Sequence, residues 1–167
     1  VKEVVWWSIY DIGHSITDRF DDVPEGSDRS PRVFTAGDAC HTHSAKAGQG
    51  MNVSIQDGFN LAWKLASVLE RRAPESLLAT YANERKVVAQ NLIDFDKEWS
   101  GLLALPVDSW EDPAGLEQWY TSTLEFPAGF MTQYTPSMIT LGSEHQGLAP
   151  GFPVGKRFKS AEVIRRA

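Results

Sequence analysis

The residues whose types and spacing could do chemistry are concentrated between positions 36 and 52. A short apolar run from Val33 to Ala36 predicts a buried strand end, and Gly37 permits the sharp turn that leaves the Asp38 carboxylate just beyond it. Gly48 and Gly50 lie where an amphipathic pattern begins. Because neither has a side chain, the free N–H groups of a helix start can meet an anionic or carbonyl-rich ligand at close range. The stretch therefore predicts a ligand site formed by one turn and one helix start.

The same stretch contains three residues that could suggest a metal ion or a cysteine nucleophile, Cys40, His41 and His43. Zinc sites usually take their ligands from two separated pairs, and the other histidines, His14 and His145, are isolated in the sequence. Adjacent side chains on an extended segment point to opposite sides, so Cys40 and His41 make a poor nucleophile–base pair. We expect no metal ion here, and packing and hydrogen-bonding roles for the two clustered histidines.

Two long helices are predicted to follow and to position this loop. From Gly50 to Arg72, apolar residues recur every three or four positions and predict the buried face: Met51, Ile55, Phe59, Ala62, Leu65 and Leu69. The second helix, from about Pro74 to Leu103, has a longer stripe: Leu78, Tyr81, Val88, Leu92, Phe95, Trp99 and Leu102. Arg85 falls on this stripe, so we expect a buried ion pair with Glu84 or with a carboxylate upstream.

The flanking segments predict less regular structure. Val4 to Ile12 is rich in β-branched and aromatic residues, which favours a strand, and Ser15 to Phe20 predicts a second extended piece. The segment 21–31 is acidic and contains glycine and two prolines, so it predicts a surface loop. Beyond Leu105 the sequence predicts, in order, a short helix over 114–124, an extended piece over 130–141, a loop over 150–158 and a strand or tail over 160–166.

Composition limits the class of protein. The chain has 167 residues, with 16 basic and 22 acidic side chains and a net charge of −6, which argues against a nucleic-acid partner. It contains no apolar run long enough to span a bilayer, and no charged-then-apolar pattern is seen at its N-terminal end, so we expect neither a membrane span nor a secretion signal. The single cysteine excludes an intrachain disulfide. We expect a cytoplasmic protein with neither nucleic-acid nor membrane partners.

The stretch around Asp38 resembles the second flavin-binding motif of the FAD-dependent aromatic hydroxylases, most closely the branch of the phenol 2-monooxygenases and 3-hydroxybenzoate 4-monooxygenases. The residues that carry the resemblance are Ala36-Gly37-Asp38-Ala39-Cys40-His41-Thr42-His43-Ser44, Lys46-Ala47-Gly48-Gln49-Gly50-Met51-Asn52, Asp57, Asn60-Leu61 and Trp63-Lys64-Leu65. The resemblance implies an α/β (mixed α+β) fold that is part of a Rossmann-like, FAD/NAD(P)-binding flavin monooxygenase. It agrees with two long helices after the Gly-Asp motif and an irregular C-terminal region.

The resemblance also implies roles for individual residues. Asp38 is expected to accept a hydrogen bond from a ribityl hydroxyl of FAD. The backbone N–H groups of Gly48, Gln49, Gly50, Met51 and Asn52 are expected to face the pyrimidine carbonyls and the diphosphate side of the cofactor.

Two further positions bear on activity. Tyr10 stands where the family has a tyrosine lining the cavity near the flavin ring, although an ordinary sheet role is equally open. The resemblance assigns no other catalytic residue within the chain. Ala45 departs from the family, which usually has a proline after the equivalent of Ser44, and a loop without that proline has more conformational freedom when unfolded.

At the level of the whole protein, the resemblance implies a homodimer that uses NADPH and O₂ to hydroxylate a phenolic compound beside its hydroxyl group. The chain begins at Val1 and lacks the family's G-x-G-x-x-G fingerprint, so we expect an internal fragment that is inactive alone. We expect 1–30 to end the substrate-domain sheet, 31–105 to complete the FAD-binding domain, and 106–167 to lead toward a thioredoxin-like domain. The alternative is a non-catalytic binding or dimerisation module derived from such an enzyme.

Overall fold

The computed structural model describes residues 3–9, 13–106, 113–158 and 160. Three helices dominate it: α1 is Gly50–Leu69, α2 is Ala79–Ala104 and α3 is Pro113–Thr123. Strands β1 (Ser15–Ile16) and β2 (His41–Thr42) pair antiparallel, with Ser15 opposite Thr42 and Ile16 opposite His41. Single 3₁₀ turns span Gly37–Ala39, Glu75–Leu78 and Gln146–Leu148. This mixture of helix and sheet confirms the predicted fold class.

The helix boundaries follow from local sequence. Proline at position 74 precedes a 3₁₀ turn that continues directly into α2, which is favourable because proline is compatible with a helix start but lacks an N–H. At the other end, Leu105 is extended and Pro106 follows it, and a proline disfavours helical conformation in the residue before it. The three helices predicted from the sequence are confirmed to within a few residues at each end.

The face that α1 buries is the opposite of the one predicted. Met51 is 73% exposed, and Ile55, Phe59 and Leu69 of the predicted face are also exposed. The buried residues of α1 are instead Val53, Asp57, Asn60 and Lys64. The prediction was wrong because the three polar residues pair with α2 side chains. Hydrogen bonds and opposite charges offset the desolvation that would otherwise keep such groups at the surface.

The predicted stripe of α2 is mostly confirmed. Leu78, Tyr81, Val88 and Leu92 are buried. Two apolar clusters result, one around Phe20, Cys40, Tyr81 and Ala89 and the other around Val53, Val88 and Leu92. At its C-terminal end α2 packs against α3 and the segment after it through stacked rings, with 5.2 Å between the ring centroids of Trp99 and Trp119 and 4.5 Å between those of Phe95 and Phe126.

Several predicted strands are not formed. Residues 3–9 have no strand, and Trp6 and Trp7 are each 74% exposed, while Tyr10 lies outside the described residues. Only Ser15–Ile16 of the predicted second piece pairs as a strand. Val33 is 61% exposed, and its segment forms an isolated bridge between Phe34 and Asp21.

The remaining flanks are irregular. The loop predicted over 21–31 is confirmed. The segment 130–141 forms isolated bridges instead of the predicted extended piece, and 150–158 is irregular as predicted. Most of the predicted tail lies outside the described residues. Among the described helices, none is both long and apolar enough to cross a membrane.

Candidate functional site

A cleft of about 780 Å³ lies between the Gly37 turn, the loop after β2 and the first turn of α1. Four residues that the sequence predicted as a ligand site line it: Asp38, Gly48, Gly50 and Met51. Ser54, one turn into α1, closes its floor near the Gly37 turn. The structure therefore brings together the predicted turn and the predicted helix start.

The Gly37 turn presents Asp38 to the cleft. Gly37 has a φ of +61°, a conformation that L side chains rarely adopt, and a Cβ there would lie 3.1 Å from the Cβ of Ser54. Asp38 is exposed, and among the described residues no hydrogen bond uses its carboxylate. Its oxygens are therefore available to a ligand that donates hydrogen bonds.

A buried carboxylate fixes this turn from below. Asp57 Oδ2 accepts a hydrogen bond from the Gly37 N–H at 3.1 Å and lies 2.7 Å from His41 Nε2, while Oδ1 accepts from Arg85 Nε at 2.6 Å. Burial alone would raise the pKa of Asp57, but the hydrogen bonds from His41 and Arg85 outweigh it and lower the pKa. Asp57 is therefore a buried anion that holds the backbone of the turn.

The ion pair predicted for Arg85 is confirmed, with an upstream carboxylate as its partner. Arg85 pairs with Asp57 from α1. Glu84, the other predicted partner, instead accepts from Lys64 Nζ at 2.6 Å and from Asn60 Nδ2 at 2.8 Å. These pairs join α1 to α2.

The cysteine and histidine of β2 lie beside this network. Cys40 Sγ, a ring nitrogen of His41 and a carboxylate oxygen of Asp57 lie within 4.8 Å of one another, a grouping that could hold a metal ion. The Asp57 oxygens, however, already bind Gly37, His41 and Arg85, and the guanidinium charge opposes a cation at the same place. Burial raises the pKa of Cys40 to about 11, so the thiol stays protonated and is a poor nucleophile.

Gly48 and Gly50 set the backbone geometry of the loop and of the helix start that follows it. Gly48 has a φ of +65°, and its N–H donates to the Ala45 carbonyl at 3.1 Å. This N–H was predicted to face a ligand, but in the structure it is used within the loop. A Cβ on Gly50 would lie 2.2 Å from Cε1 of His43, so the missing side chain makes room for that ring. The histidine ring thereby packs against the start of α1.

The start of α1 offers free backbone donors. The first helical hydrogen bond runs from the Val53 N–H to the Gln49 carbonyl, so the N–H groups of Gly50, Met51 and Asn52 precede the helical ladder. The side chains of Gln49 and Asn52 hydrogen-bond each other at 3.0 Å and line a separate pocket of about 370 Å³. Neither residue lines the cleft, and the contribution predicted for their backbone N–H groups stays a prediction.

A second buried carboxylate, Asp96 of α2, holds the loop after β2. It accepts hydrogen bonds from the Ser44 N–H, the Ser44 hydroxyl and the Ala47 N–H, and it lies 2.8 Å from His14 Nε2. No role for Asp96 was predicted from the sequence. A signal existed, because Asp96 follows Arg85 by eleven residues, three helical turns, and so lies on the same buried face of α2.

The family model described as FAD binding domain matches residues 2–96. The chain belongs to this family and, within it, to the FAD-dependent aromatic hydroxylases. The resemblance seen in the Gly-Asp motif is thereby confirmed, and so is FAD as the cofactor of the family.

Two sequence relatives and one solved structure show what the chain is similar to. The chain is 50% identical to the 3-hydroxybenzoate 4-monooxygenase of Comamonas testosteroni over 99% of its own length and 27% of that protein. It is 40% identical to the phenol 2-monooxygenase fsqG of Aspergillus fumigatus, over 98% of this chain and 27% of that one. Its fold is similar to that of CabE, an aromatic hydroxylase from angucycline biosynthesis, with a TM-score of 0.65 and 29% identity over 94% of this chain and 30% of that one. The chain thus spans about a quarter of the length of these curated relatives.

The groups around the cleft fit a flavin dinucleotide. The Asp38 carboxylate can accept from hydroxyl groups, and the first N–H groups of α1 can donate to carbonyl or phosphate oxygens. The hydroxyl of Ser54 and Nε2 of His43, both at the cleft, are buried without a hydrogen-bond partner among the described residues. FAD carries ribityl hydroxyls, ring carbonyls and phosphates, which are the complementary groups.

Proposed function

We propose that this chain contributes the second flavin-binding motif to an FAD-dependent, NADPH-using monooxygenase that hydroxylates a phenolic compound beside its existing hydroxyl. The names of two relatives support this regiochemistry, because position 4 of 3-hydroxybenzoate and position 2 of phenol both adjoin the ring hydroxyl. The identities of 50% and 40% support the reaction class, with O₂ as co-substrate.

The observation that carries the proposal is the meeting of Asp38 and the start of α1 in one cleft. In the proposed complex, Asp38 accepts a hydrogen bond from a ribityl hydroxyl. The N–H groups of Gly50, Met51 and Asn52 donate to the cofactor's pyrimidine carbonyls or diphosphate. Bound FAD would supply the hydride acceptor and the oxygen chemistry. The chain's part is to bind and orient it, with the helix dipole favouring negative charge at this place.

Other parts of the proposal concern the intact enzyme. We place the base that activates the phenol, and the unit that binds the ADP half of FAD, outside this chain. Tyr10 stays a prediction as a lining residue, since it lies outside the described residues. The homodimer also stays a prediction, as do the two domain boundaries near positions 30 and 105.

The cofactor site is tested by measuring FAD affinity from quenching of flavin fluorescence. Asp38→Asn should weaken binding about 10-fold to 100-fold, because a hydrogen bond to a charged group is worth roughly 1.5–3 kcal/mol. Asp94→Asn is the matched control, since Asp94 is an exposed carboxylate on α2 that bonds Gln90 and lies away from the cleft. Equal affinities for wild type and Asp38→Asn would contradict the assignment of Asp38.

The reaction is tested by following NADPH oxidation with and without phenolic compounds. We expect phenol-dependent oxidation by the intact enzyme and none by the 167-residue chain alone. Phenol-dependent turnover by the isolated chain would overturn the placement of the catalytic base. A folded, dimeric and colourless intact protein would favour the alternative of a binding or dimerisation module.

A further inference from the structure

Asp96 is the point where three parts of the molecule meet. It is fully buried at 0% exposure, and it lies on α2, far along the chain from the cleft residues. His14, just before β1, lies 2.8 Å from its Oδ2. Ser44 and Ala47, on the loop after β2, supply the remaining donors. One side chain thus connects α2, the approach to β1 and the loop that lines the cleft.

The loop depends on this carboxylate for its hydrogen bonds. Oδ2 accepts the Ser44 N–H at 2.6 Å, and Oδ1 accepts the Ser44 hydroxyl at 2.8 Å and the Ala47 N–H at 3.2 Å. The Ser44 hydroxyl also contacts the Ser100 hydroxyl at 3.2 Å and accepts from the Lys46 N–H at 3.2 Å. Without the carboxylate, the buried Ser44 N–H and hydroxyl and the partly buried Ala47 N–H would lose their partner, and a buried donor left without a partner is destabilising.

The same loop sets the geometry of the cleft. Ala47 directly precedes Gly48, whose positive φ turns the chain toward the start of α1. Ser44 and Ala45 line the cleft themselves. A displacement of the Ser44–Ala47 backbone therefore moves both the wall of the cleft and the approach to the helix N–H groups.

We propose that Asp96 is a positioning residue, which holds the Ser44–Ala47 loop in the shape that binds FAD. The inference rests on the proposed function for the identity of the ligand. The Asp96 clamp, meaning the hydrogen bonds from the Ser44–Ala47 loop to the Asp96 carboxylate, is a property of the protein without cofactor. It does not depend on the proposed function. Asp96 does not touch the cleft, so it acts through the loop.

The clamp is tested first in the chain without FAD, by hydrogen–deuterium exchange of peptides covering residues 43–49. Asp96→Asn replaces an acceptor by an amide, whose NH₂ group must face a loop donor. We expect exchange in these peptides to rise at least about 10-fold, with α1 and α3 unchanged. Asp94→Asn, two residues away on the exposed face of α2, should leave exchange unchanged. Unchanged loop exchange in a folded Asp96→Asn variant would overturn the proposal.

The effect on binding is tested by FAD titration of the same variants. We expect Asp96→Asn to weaken FAD affinity about 10-fold or more, with unchanged affinity in Asp94→Asn.

Among the described residues no hydrogen bond uses the Ala45 N–H, so a proline there removes no hydrogen bond and stiffens the loop. Ala45→Pro should therefore restore part of the affinity lost in Asp96→Asn. Because a proline in the loop also raises the stability of the whole protein, urea denaturation of the same variants accompanies the titration. Affinity restored beyond the gain in unfolding free energy supports the proposal, whereas absence of rescue, or rescue only in proportion to stability, counts against it.

A milder variant covers the case in which Asp96→Asn fails to fold. Ser44→Ala removes the hydroxyl that bonds Asp96 but keeps the Ser44 N–H, so we expect a smaller rise in loop exchange and a smaller loss of affinity. No change in either measurement would overturn the clamp. Failure of the intact wild-type protein to bind FAD would instead refute the cofactor assignment, while loop exchange would still decide whether Asp96 holds the loop.

Discussion

Three carboxylates around the cleft have different surroundings, and these set different roles. Asp38 is exposed and has no hydrogen-bond partner among the described residues, which suits a ligand contact. Asp57 and Asp96 are fully buried, and their oxygens are occupied by donors from the turn and the loop. Only the first could be recognised by its position after a glycine. The other two needed the contacts between α1, α2 and the loops.

Asp57→Asn is expected to destabilise the protein strongly. Asparagine leaves the buried Arg85 guanidinium without its counter-charge, and breaking such a pair typically costs about 3–5 kcal/mol of unfolding free energy. Urea denaturation monitored by circular dichroism measures the change. The matched control is Glu70→Gln, which breaks the exposed pair with Arg72 and should cost less than about 1 kcal/mol. Equal effects of the two substitutions would contradict the role of the buried network.

The buried carboxylates also predict a dependence of stability on pH. In Asp96, as in Asp57, burial tends to raise the pKa, but the hydrogen bonds of the folded state outweigh it and hold the pKa below the ordinary value of 3.8. A carboxyl group with a lowered folded pKa stabilises the protein above its unfolded pKa, and this stabilisation is lost as pH falls through the folded pKa. The unfolding free energy should therefore hold steady above about pH 5 and decline below about pH 4.

Urea titrations at a series of pH values check this dependence. Asp96→Asn should show a shallower acid decline than wild type, because one titrating group is removed, whereas Asp94→Asn should keep most of the wild-type slope. If Asp96→Asn and wild type lost stability in parallel on acidification, the hydrogen bonds to Asp96 would not be the source of the decline.

At the scale of elements, the start of α1 depends on a close approach between a glycine and a ring. Gly50→Ala would place a methyl group 2.2 Å from Cε1 of His43, so the ring or the helix start must move. Overpacking of this kind costs about 1–3 kcal/mol, and the displaced helix start should also weaken FAD binding. Thermal unfolding and FAD titration measure the two effects.

Gly58→Ala is the control within the same helix. A Cβ at position 58 meets nothing within 4 Å, so the substitution should raise stability by about 0.5–1 kcal/mol through helix propensity alone. A Gly50→Ala variant that was equally stabilised would show that His43 does not pack against the helix start as described.

The elements also show what the sequence could predict. The helices at Gly50–Leu69 and Ala79–Ala104 follow from apolar spacing and proline positions, and their existence was predicted correctly. The buried face of α1 was not, because the strongest apolar stripe, with Met51 and Phe59, is exposed in this chain. Hydrophobic periodicity identifies apolar positions only. It therefore misses polar residues that are buried because a residue on another helix pairs with them.

At the scale of the molecule, the meeting of the Gly37 turn with the start of α1 was predicted better than the framework around them. Asp38 and Gly50 were placed together from one motif, since the turn, loop and helix start are close in sequence. The strand predicted before Ile12 does not form in residues 3–9, which lie exposed. Strand formation depends on a pairing partner, and a β-branched, aromatic segment specifies no partner by itself.

The most direct test of the whole account is a map of where FAD protects the chain from hydrogen–deuterium exchange. Binding in the cleft should slow exchange in peptides covering 36–40 and 48–53, with α3 unchanged. In the intact protein, protection confined to the separate pocket near Phe126, or none at saturating FAD, would contradict FAD binding in the cleft.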